Sequence, residues 1–290
     1  MILVTGATGT IGSELLREMV RQGEPVRAAV HVRPLDVDGV ETCSIDYDRP
    51  ETLPPALEGI DALFLLSQEV THEKPMVDAA RDAGVRRIVY VSSFGADTDT
   101  FIVGQLHREI ELRIQETGMA WTFLRPNYLM QNFITLMGDD IRNEDAFYDS
   151  IGDARVSRID ARDVSHVAAR VLTESGHENR AYDLSGPEAI THHHAAEVLS
   201  EALGRRIRYV ELDDDSFRRR LISQGVPEDF AGFVEDVNRR NRNGETHDDR
   251  VTDEVRNILG RQPTPFSRFC RDYAPSLGGH RASAGLVGDP

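Results

Sequence analysis

Three glycines, Gly6, Gly9 and Gly12, stand at equal intervals in TGATGTIG, residues 5–12. They follow the apolar run ILVT (2–5). They precede a stretch in which Ile11, Leu15, Leu16, Met19 and Val20 recur at helical spacing and which Gly23 stops. The motif therefore lies between a strand and a helix. In that setting Gly6 allows the tight turn, Gly9 lets the backbone approach a pyrophosphate, and Gly12 lets the helix pack close to the sheet. The helix N-terminus would then face the phosphate charge. The spacing is G-x-x-G-x-x-G rather than the commoner G-x-G-x-x-G, but the physical requirement is the same. It points to a dinucleotide site, with an empty glycine-rich turn as the plain alternative.

The end of the next strand bears on which dinucleotide. An acid there would hold a ribose 2′-hydroxyl. Here Val26-Arg27-Ala28-Ala29-Val30-His31-Val32-Arg33 has no acid before Asp36. His31 and Arg33 could face a 2′-phosphate instead, so NADP(H) is favoured over NAD(H).

The elements that must position these residues are legible as a pattern. Strands at 25–30, 41–45, 62–66, 87–92 and 120–124 alternate with helices at 50–57, 75–84 and 107–117. Several of the strands are continuously apolar, as in strands buried on both faces. The alternation implies an α/β fold, a Rossmann-type doubly wound parallel sheet with a smaller C-terminal substrate-binding α/β portion. The division expected is a dinucleotide-binding domain over 1–150 with strand six at about 120–126, a substrate-binding portion over 151–275 partly interleaved with the sheet, and a disordered tail over 276–290. In the second portion, helices are expected at 164–172 and 195–203. A late strand is expected at 181–184, a charged helical region at 217–240, and short helices at 253–259 and 265–273.

Composition narrows the class. The chain has 290 residues, 40% hydrophobic and 28% charged, enough for a sizeable buried core. No run approaches the ~18 apolar residues of a membrane span, and the opening MILVTG has neither a basic segment nor a cleavage site. The two cysteines, Cys43 and Cys270, make no disulfide framework and no zinc spacing, so a reduced, cytoplasmic setting and no metal are expected. The net charge of −16 argues against nucleic acid as a partner. His192-His193-His194 does not read as a metal site, because adjacent helical residues point about 100° apart. It reads as a surface helix start after the N-cap Thr191. Arg218-Arg219-Arg220 after Asp213-Asp214-Asp215 reads as a charge-balanced helix start, and Arg239-Arg240-Asn241-Arg242 as a solvated loop.

Taken together, several segments make the chain resemble the NmrA-like branch of the atypical short-chain dehydrogenases. They are TGATGTIG (5–12), DYDRPETLPPALEGID (46–61), AARDAGVRRIVYVSS (79–93), LHREIE (106–111), WTFLRPNYLMQNF (121–133), ARDV (161–164), RAYDLSGPEAIT (180–191), EALGRRIRY (201–209) and LGRQPTPFSRF (259–269). That branch includes NADPH-dependent quinone reductases, triphenylmethane dye reductases and redox-sensing regulators. The resemblance implies that Thr5, Gly6, Thr8, Gly9, Thr10 and Ile11 line the pyrophosphate and that Asp46 and Tyr47 lie near the adenine. It implies that Leu66, Ser67 and Gln68 lie near the nicotinamide ribose, that Ser92 and Ser93 end strand five, and that Arg125, Pro126 and Asn127 border the nicotinamide. The segment from Tyr128 to Phe133 would shape the substrate pocket.

The better-known short-chain dehydrogenases use Tyr-x-x-x-Lys. The only lysine here is Lys74 and position 70 is valine, so that motif is absent. Hydride transfer to an acceptor that needs less acid assistance is still open, with an electron-poor quinone, enone or dye as the small aromatic substrate. By the resemblance, His107 aligns with a histidine of the quinone and dye reductases. With its ordinary pKa of about 6.5 it would donate a proton or hydrogen bond to the substrate; a locally bonded structural histidine is the alternative. Tyr128 and Asn132 are candidate polar contacts to the substrate. Phe101, Met130 and Phe133 could form an aromatic-accepting wall, which core packing would explain equally well. The function expected is an NAD(P)H-dependent oxidoreductase acting on a quinone-like or conjugated aromatic carbonyl compound, with a tailoring role in secondary metabolism as one setting. A non-catalytic dinucleotide-binding redox sensor and a cofactor-scaffolded dehydratase or cyclase are the alternatives. A homodimer is an expectation carried from the wider superfamily.

Overall fold

The structure is a computed structural model and describes residues 1–31, 35, 37–67, 69–98 and 102–278, with the side chain of Ile102 left aside. The strands are β1 (Ile2–Val4), β2 (Val26–Val30), β3 (Glu41–Ser44), β4 (Ala62–Leu65), β5 (Arg87–Val91), β6 (Ala120–Pro126), β7 (Ala146–Asp149), β8 (Arg180–Leu184) and β9 (Arg208–Glu211). Seven of them form one sheet in the order β3-β2-β1-β4-β5-β6-β8, every pair parallel. The order reverses between β1 and β4. In a doubly wound sheet this switch point opens a crevice at the carboxyl ends of the strands. The expected Rossmann-type fold is thus the fold observed.

The chain forms two compact units, neither continuous in sequence. The first comprises 1–129, 157–188 and 250–264; the second comprises 130–156, 189–249 and the chain from Pro265 on. The first unit carries the seven-stranded sheet with an apolar layer on each face. Val4, Val89 and Leu124 point to one layer, shared with the helices Thr10–Gln22 and Ala161–Thr173. Leu3, Ile88, Tyr90 and Phe123 point to the other, under the helices Glu73–Asp82 and Ile102–Glu116. Period-two alternation inside apolar strands thus feeds two cores at once. The second unit gathers Met130, Phe133, Phe147, Leu199, Phe266 and Phe269 into its own core beside a two-stranded parallel sheet of β7 and β9.

Several expectations need correction. β7 and β9 are four-residue strands in charged surroundings and were not read from the sequence. The charged region 217–240 is two helices, Asp214–Ser223 and Glu228–Arg242, separated by Gly225 at φ +88° and by Pro227. Arg239–Arg242 is no solvated loop but the last turn of the second helix, where basic residues complement the helix dipole and Arg242 pairs with Asp214 at 2.7 Å. Thr191 does cap the helix His192–Leu203, accepting from the His194 N–H. His192 itself, however, is buried among Phe133, Phe147 and Tyr209 rather than lying on the surface. At the start of the expected tail, Ala274–Leu277 is a helical turn with Leu277 fully buried, so these residues do not belong to a disordered segment. Residues 279–290 lie outside the described residues. Among the described residues no helix is long and apolar enough to cross a membrane, and no group of three or more His, Cys, Asp or Glu could hold a metal ion.

Candidate active site

The glycine turn is fixed by sterics. Gly6 sits at φ +60°, and a Cβ there would fall 2.8 Å from the Leu66 carbonyl oxygen. A Cβ on Gly12 would fall 2.2 Å from the Gly6 carbonyl oxygen, and one on Gly9 3.2 Å from the same atom. The Gly9 N–H closes the turn onto Gly6 at 2.9 Å. Gly9 is also the N-cap of the helix Thr10–Gln22, so no side chain caps that helix, and no acid occupies its first turn. Backbone N–H groups at this end are left for an external acceptor. A close-packed, uncapped and acid-free helix start is the environment a pyrophosphate requires, so these residues fit a bound dinucleotide. Thr8 and Thr10 flank Gly9 in this turn, and Ile11 is buried behind it.

Thr5, expected along the pyrophosphate, is fully buried. Its hydroxyl donates to the Leu66 carbonyl at 2.9 Å and accepts the Leu66 N–H at 2.9 Å, tying the end of β1 to the end of β4. At the end of β2, His31 is exposed, with Nε2 3.8 Å from an Asp46 carboxylate oxygen. Arg49, hydrogen-bonded to that carboxylate at 2.9 Å, holds the Asp46 carboxyl below its ordinary range. Tyr47 turns inward and stacks on His72, with centroids 4.9 Å apart. Burial pushes its pKa up to about 12. Arg33, Gln68 and Phe101 lie outside the described residues.

Beside the turn, β5 presents Tyr90 and Ser92 to one face of the sheet. The helix Ile102–Glu116 faces them with His107 and Glu111. Two residues along a strand and four along a helix span nearly the same distance, so the pairs match. Tyr90 Oη lies 2.6 Å from His107 Nδ1, and Ser92 Oγ donates to Glu111 at 2.7 Å. Tyr90 Oη also lies 2.7 Å from Glu73 Oε2. Glu73 accepts in addition from the Ser67 hydroxyl at 3.1 Å and the Ser67 N–H at 3.3 Å. Glu73 is 1% exposed at the start of its helix. A helix N-terminus favours the carboxylate, yet burial outweighs this and lifts its pKa to about 7. Burial and the neighbouring Glu73 charge push Tyr90 far above the ordinary phenol range. Burial lowers His107 to about 4, against a smaller upward pull from Glu111. His107 is therefore neutral at neutral pH, where an ordinary histidine titrates.

The remaining expected residues divide. Arg125 is 4% exposed and bidentate to Glu111, at 2.8 and 2.7 Å, with Asp97 at 2.9 Å. Its guanidinium is committed within the protein. Ser93 follows β5 and accepts the Ala96 N–H through its carbonyl, while Pro126 ends β6 opposite Leu184. Asn127 is buried, donating to Ser157 at 2.9 Å, and the Tyr128 ring lies 5.2 Å from the Arg158 guanidinium carbon. In the second unit Asn132 opens a short helix and is half-buried. Met130 and Phe133 belong to that unit's core, at 1% and 0% exposed. Glu73 and Tyr90 were not singled out in the sequence. The signal for Tyr90 was a single polar hydroxyl inside the apolar run RIVYV; for Glu73 there was none.

The model of the NmrA-like family matches residues 1–269. The chain belongs to the NmrA-like family. It is 36% identical over 287 residues to an NAD(P)H azoreductase of Xenophilus azovorans, covering 96% of this chain and 99% of that protein. Among solved structures, it superposes with TM-score 0.81 on an NADPH-dependent quinone oxidoreductase of Escherichia coli complexed with NADPH. That match has 26% identity and covers 94% of this chain and 99% of the other. The Citrobacter triphenylmethane reductase complexed with NADP(H) gives the same TM-score at 27% identity, covering 94% and 100%. The resemblance read from the motifs is thereby established for nearly the whole chain.

Proposed function

We propose that this NmrA-like protein is an NAD(P)H-dependent reductase, using NADP(H) in preference to NAD(H), that reduces quinone-like or conjugated aromatic carbonyl compounds. The observation that carries the reading is one continuous chain of contacts from the dinucleotide turn to a histidine. Gly6 abuts Leu66; Ser67 follows and bonds Glu73; Glu73 meets Tyr90, and Tyr90 meets His107. A phosphate cradle after β1 and a proton-bearing group on the helix that faces β5 are thus linked through the end of β4, which lies between those strands. The relatives named for azo, quinone and dye reduction support the same class of chemistry.

Gly6, Gly9 and Gly12 would hold the pyrophosphate against the helix start, and the exposed His31 at the end of β2 would contribute to holding the 2′-phosphate, with Arg33 the second candidate that the sequence offers. Bound there, the nicotinamide supplies the hydride. His107, being neutral, acts as a hydrogen-bond donor at the substrate oxygen or nitrogen that gains negative charge. The side chains at the ends of β4 and β5 orient the two partners.

Calorimetric titration with NADPH and NADH, followed by consumption assays with a quinone, an enone, an azo compound and a cationic dye, tests the proposal. NADPH is expected to bind at least about tenfold tighter than NADH (~1.4 kcal/mol), and at least one acceptor is expected to turn over. In His107→Ala, turnover falls about a hundredfold while NADPH affinity stays within about twofold. Unchanged turnover removes His107 from the mechanism. No oxidation of NADPH by any acceptor refutes the reductase reading.

A further inference from the structure

We propose that Glu73, Tyr90 and His107 form a proton relay, in which the buried Glu73 carboxyl stores the proton of the reduction and passes it through Tyr90 Oη and the His107 ring to the substrate. The inference rests on the reductase reading above.

The geometry makes the three groups interdependent. Tyr90 Oη carries one proton and has two partners, Glu73 Oε2 at 2.7 Å and His107 Nδ1 at 2.6 Å. An ionised Glu73 can only accept. Tyr90 must then donate to it, and His107 must donate from Nδ1 to Tyr90, leaving a lone pair at Nε2. A protonated Glu73 that donates to Tyr90 reverses the chain: Tyr90 donates to Nδ1, and Nε2 carries the hydrogen. The state of a carboxyl two bonds away therefore sets whether the histidine offers a proton.

The groups around Glu73 favour storage. Ser67 contacts it through N–H and Oγ, Tyr90 faces it from β5, and Tyr47 feels its charge. Beyond Tyr90, Glu111 lies one helical turn from His107, held by Arg125, Arg108 and Ser92. Among the described residues no cation offsets the burial of Glu73, whose pKa of about 7 keeps a proton available near neutrality.

The step balances. When the substrate accepts a hydride, its heteroatom becomes an anion and takes the proton from His107 Nε2. Nδ1 takes the Tyr90 proton, and Tyr90 Oη takes the Glu73 proton. Three N–H or O–H bonds break and three form, and the negative charge ends on Glu73. After product leaves, a solvent proton enters at Nε2 and the same shifts run backwards. Tyr90 never ionises, consistent with its strongly raised pKa. His107 keeps part of its surface exposed, as recharging requires.

The test reads the tautomer of His107 by imidazole nitrogen NMR on the full chain. In the wild type the hydrogen is expected at Nε2 below about pH 7 and at Nδ1 above it. In Glu73→Gln the Ser67 N–H, which can only donate, holds the amide oxygen on its side and turns the N–H₂ toward Tyr90, which favours the Nε2–H form with no dependence on pH near neutrality; Tyr90→Phe removes the pH dependence as well. Steady-state assays supply the second readout. An enone needs a proton as well as a hydride, whereas a cationic triarylmethane dye is neutralised by hydride alone. Glu73→Gln should lower enone turnover about a hundredfold and lower the enone-to-dye ratio at least tenfold. A wild-type tautomer that ignores pH, or equal losses on both substrates, overturns the relay. A wild type that reduces neither substrate overturns the reductase reading, and the NMR result still decides the relay.

Discussion

From Thr5 to Gly12 the site is made of backbone; behind Tyr90 it is made of side chains. The glycine turn occupies eight consecutive residues, and its constraint is steric: the Gly12 position has no room for one added carbon. The face of β5 draws Glu73, Tyr90 and His107 from three separate elements, and its constraint is electrostatic, since burial shifts a fully enclosed carboxyl and a partly exposed imidazole in opposite directions. The difference teaches where each region should fail. Crowding should break the first at any pH, and proton activity should perturb the second with no change of shape.

The largest effect is expected at Gly12. In Gly12→Val the new side chain starts 2.2 Å from the Gly6 carbonyl oxygen and 2.7 Å from its carbonyl carbon. Both are backbone atoms and cannot rotate away, so either the turn or the helix start must move. We expect NADPH affinity to fall at least about a thousandfold (~4 kcal/mol) by calorimetry, with circular dichroism reporting whether the sheet survives. Affinity within tenfold of wild type would mean that the turn does not hold the cofactor.

The second effect belongs to the polar face and carries a sign. Folded Glu73 titrates at about 7 against an ordinary 4.5. Between those values the folded chain holds a proton that the unfolded chain has released. The stability this confers is full below 4.5 and is lost as pH rises through about 7, on the order of 3 kcal/mol. His107 acts in the opposite sense, at about 4 when folded against 6.5. Its contribution is present above 6.5 and is lost as pH falls through about 4. The two slopes oppose each other between 4.5 and 6.5, and only that of Glu73 continues above. Urea midpoints across this range should show Glu73→Gln gaining on the wild type by on the order of 3 kcal/mol as pH rises past about 7. A pH-independent difference would place Glu73 at its ordinary pKa.

The same contrast explains what the sequence made legible. The turn could be read because its three glycines are contiguous with the strand and helix they join, and the sheet because its strands are continuous apolar runs. The histidine was singled out only through resemblance, with a locally bonded structural histidine as the alternative, and its partner Tyr90 was not anticipated. Tyr90 lies inside RIVYV, where a core reading of an aromatic residue is sound by itself; only the helix facing it makes the hydroxyl chemical. Glu73 sits among Glu69, Lys74 and Asp78, which remain on the surface, and no local pattern distinguishes the one acid that folds inward. β7 and β9 escaped for a related reason, since four residues are too few to show a period. Thr5 was placed in the turn, but its bonds to the Leu66 backbone were not legible, because sequence gives its neighbours and not the carbonyl it ties down.

Thr5 is also where the two regions join, and the smallest expected effect tests the join. Its hydroxyl links β1, which leads into the glycine turn, to Leu66, whose neighbour Ser67 bonds Glu73. Thr5→Val keeps the shape and removes the hydroxyl, leaving the Leu66 N–H without its acceptor. One such loss costs about 1–3 kcal/mol. If Thr5 serves as a clamp, the melting temperature falls by a few degrees and NADPH affinity changes less than about threefold. If instead its hydroxyl lines the pyrophosphate, the order inverts, with affinity falling tenfold or more at little cost in stability. The two outcomes separate a residue that holds two strand ends together from one that touches the cofactor. They also decide whether the turn and the polar face are coupled through this hydroxyl or merely adjacent.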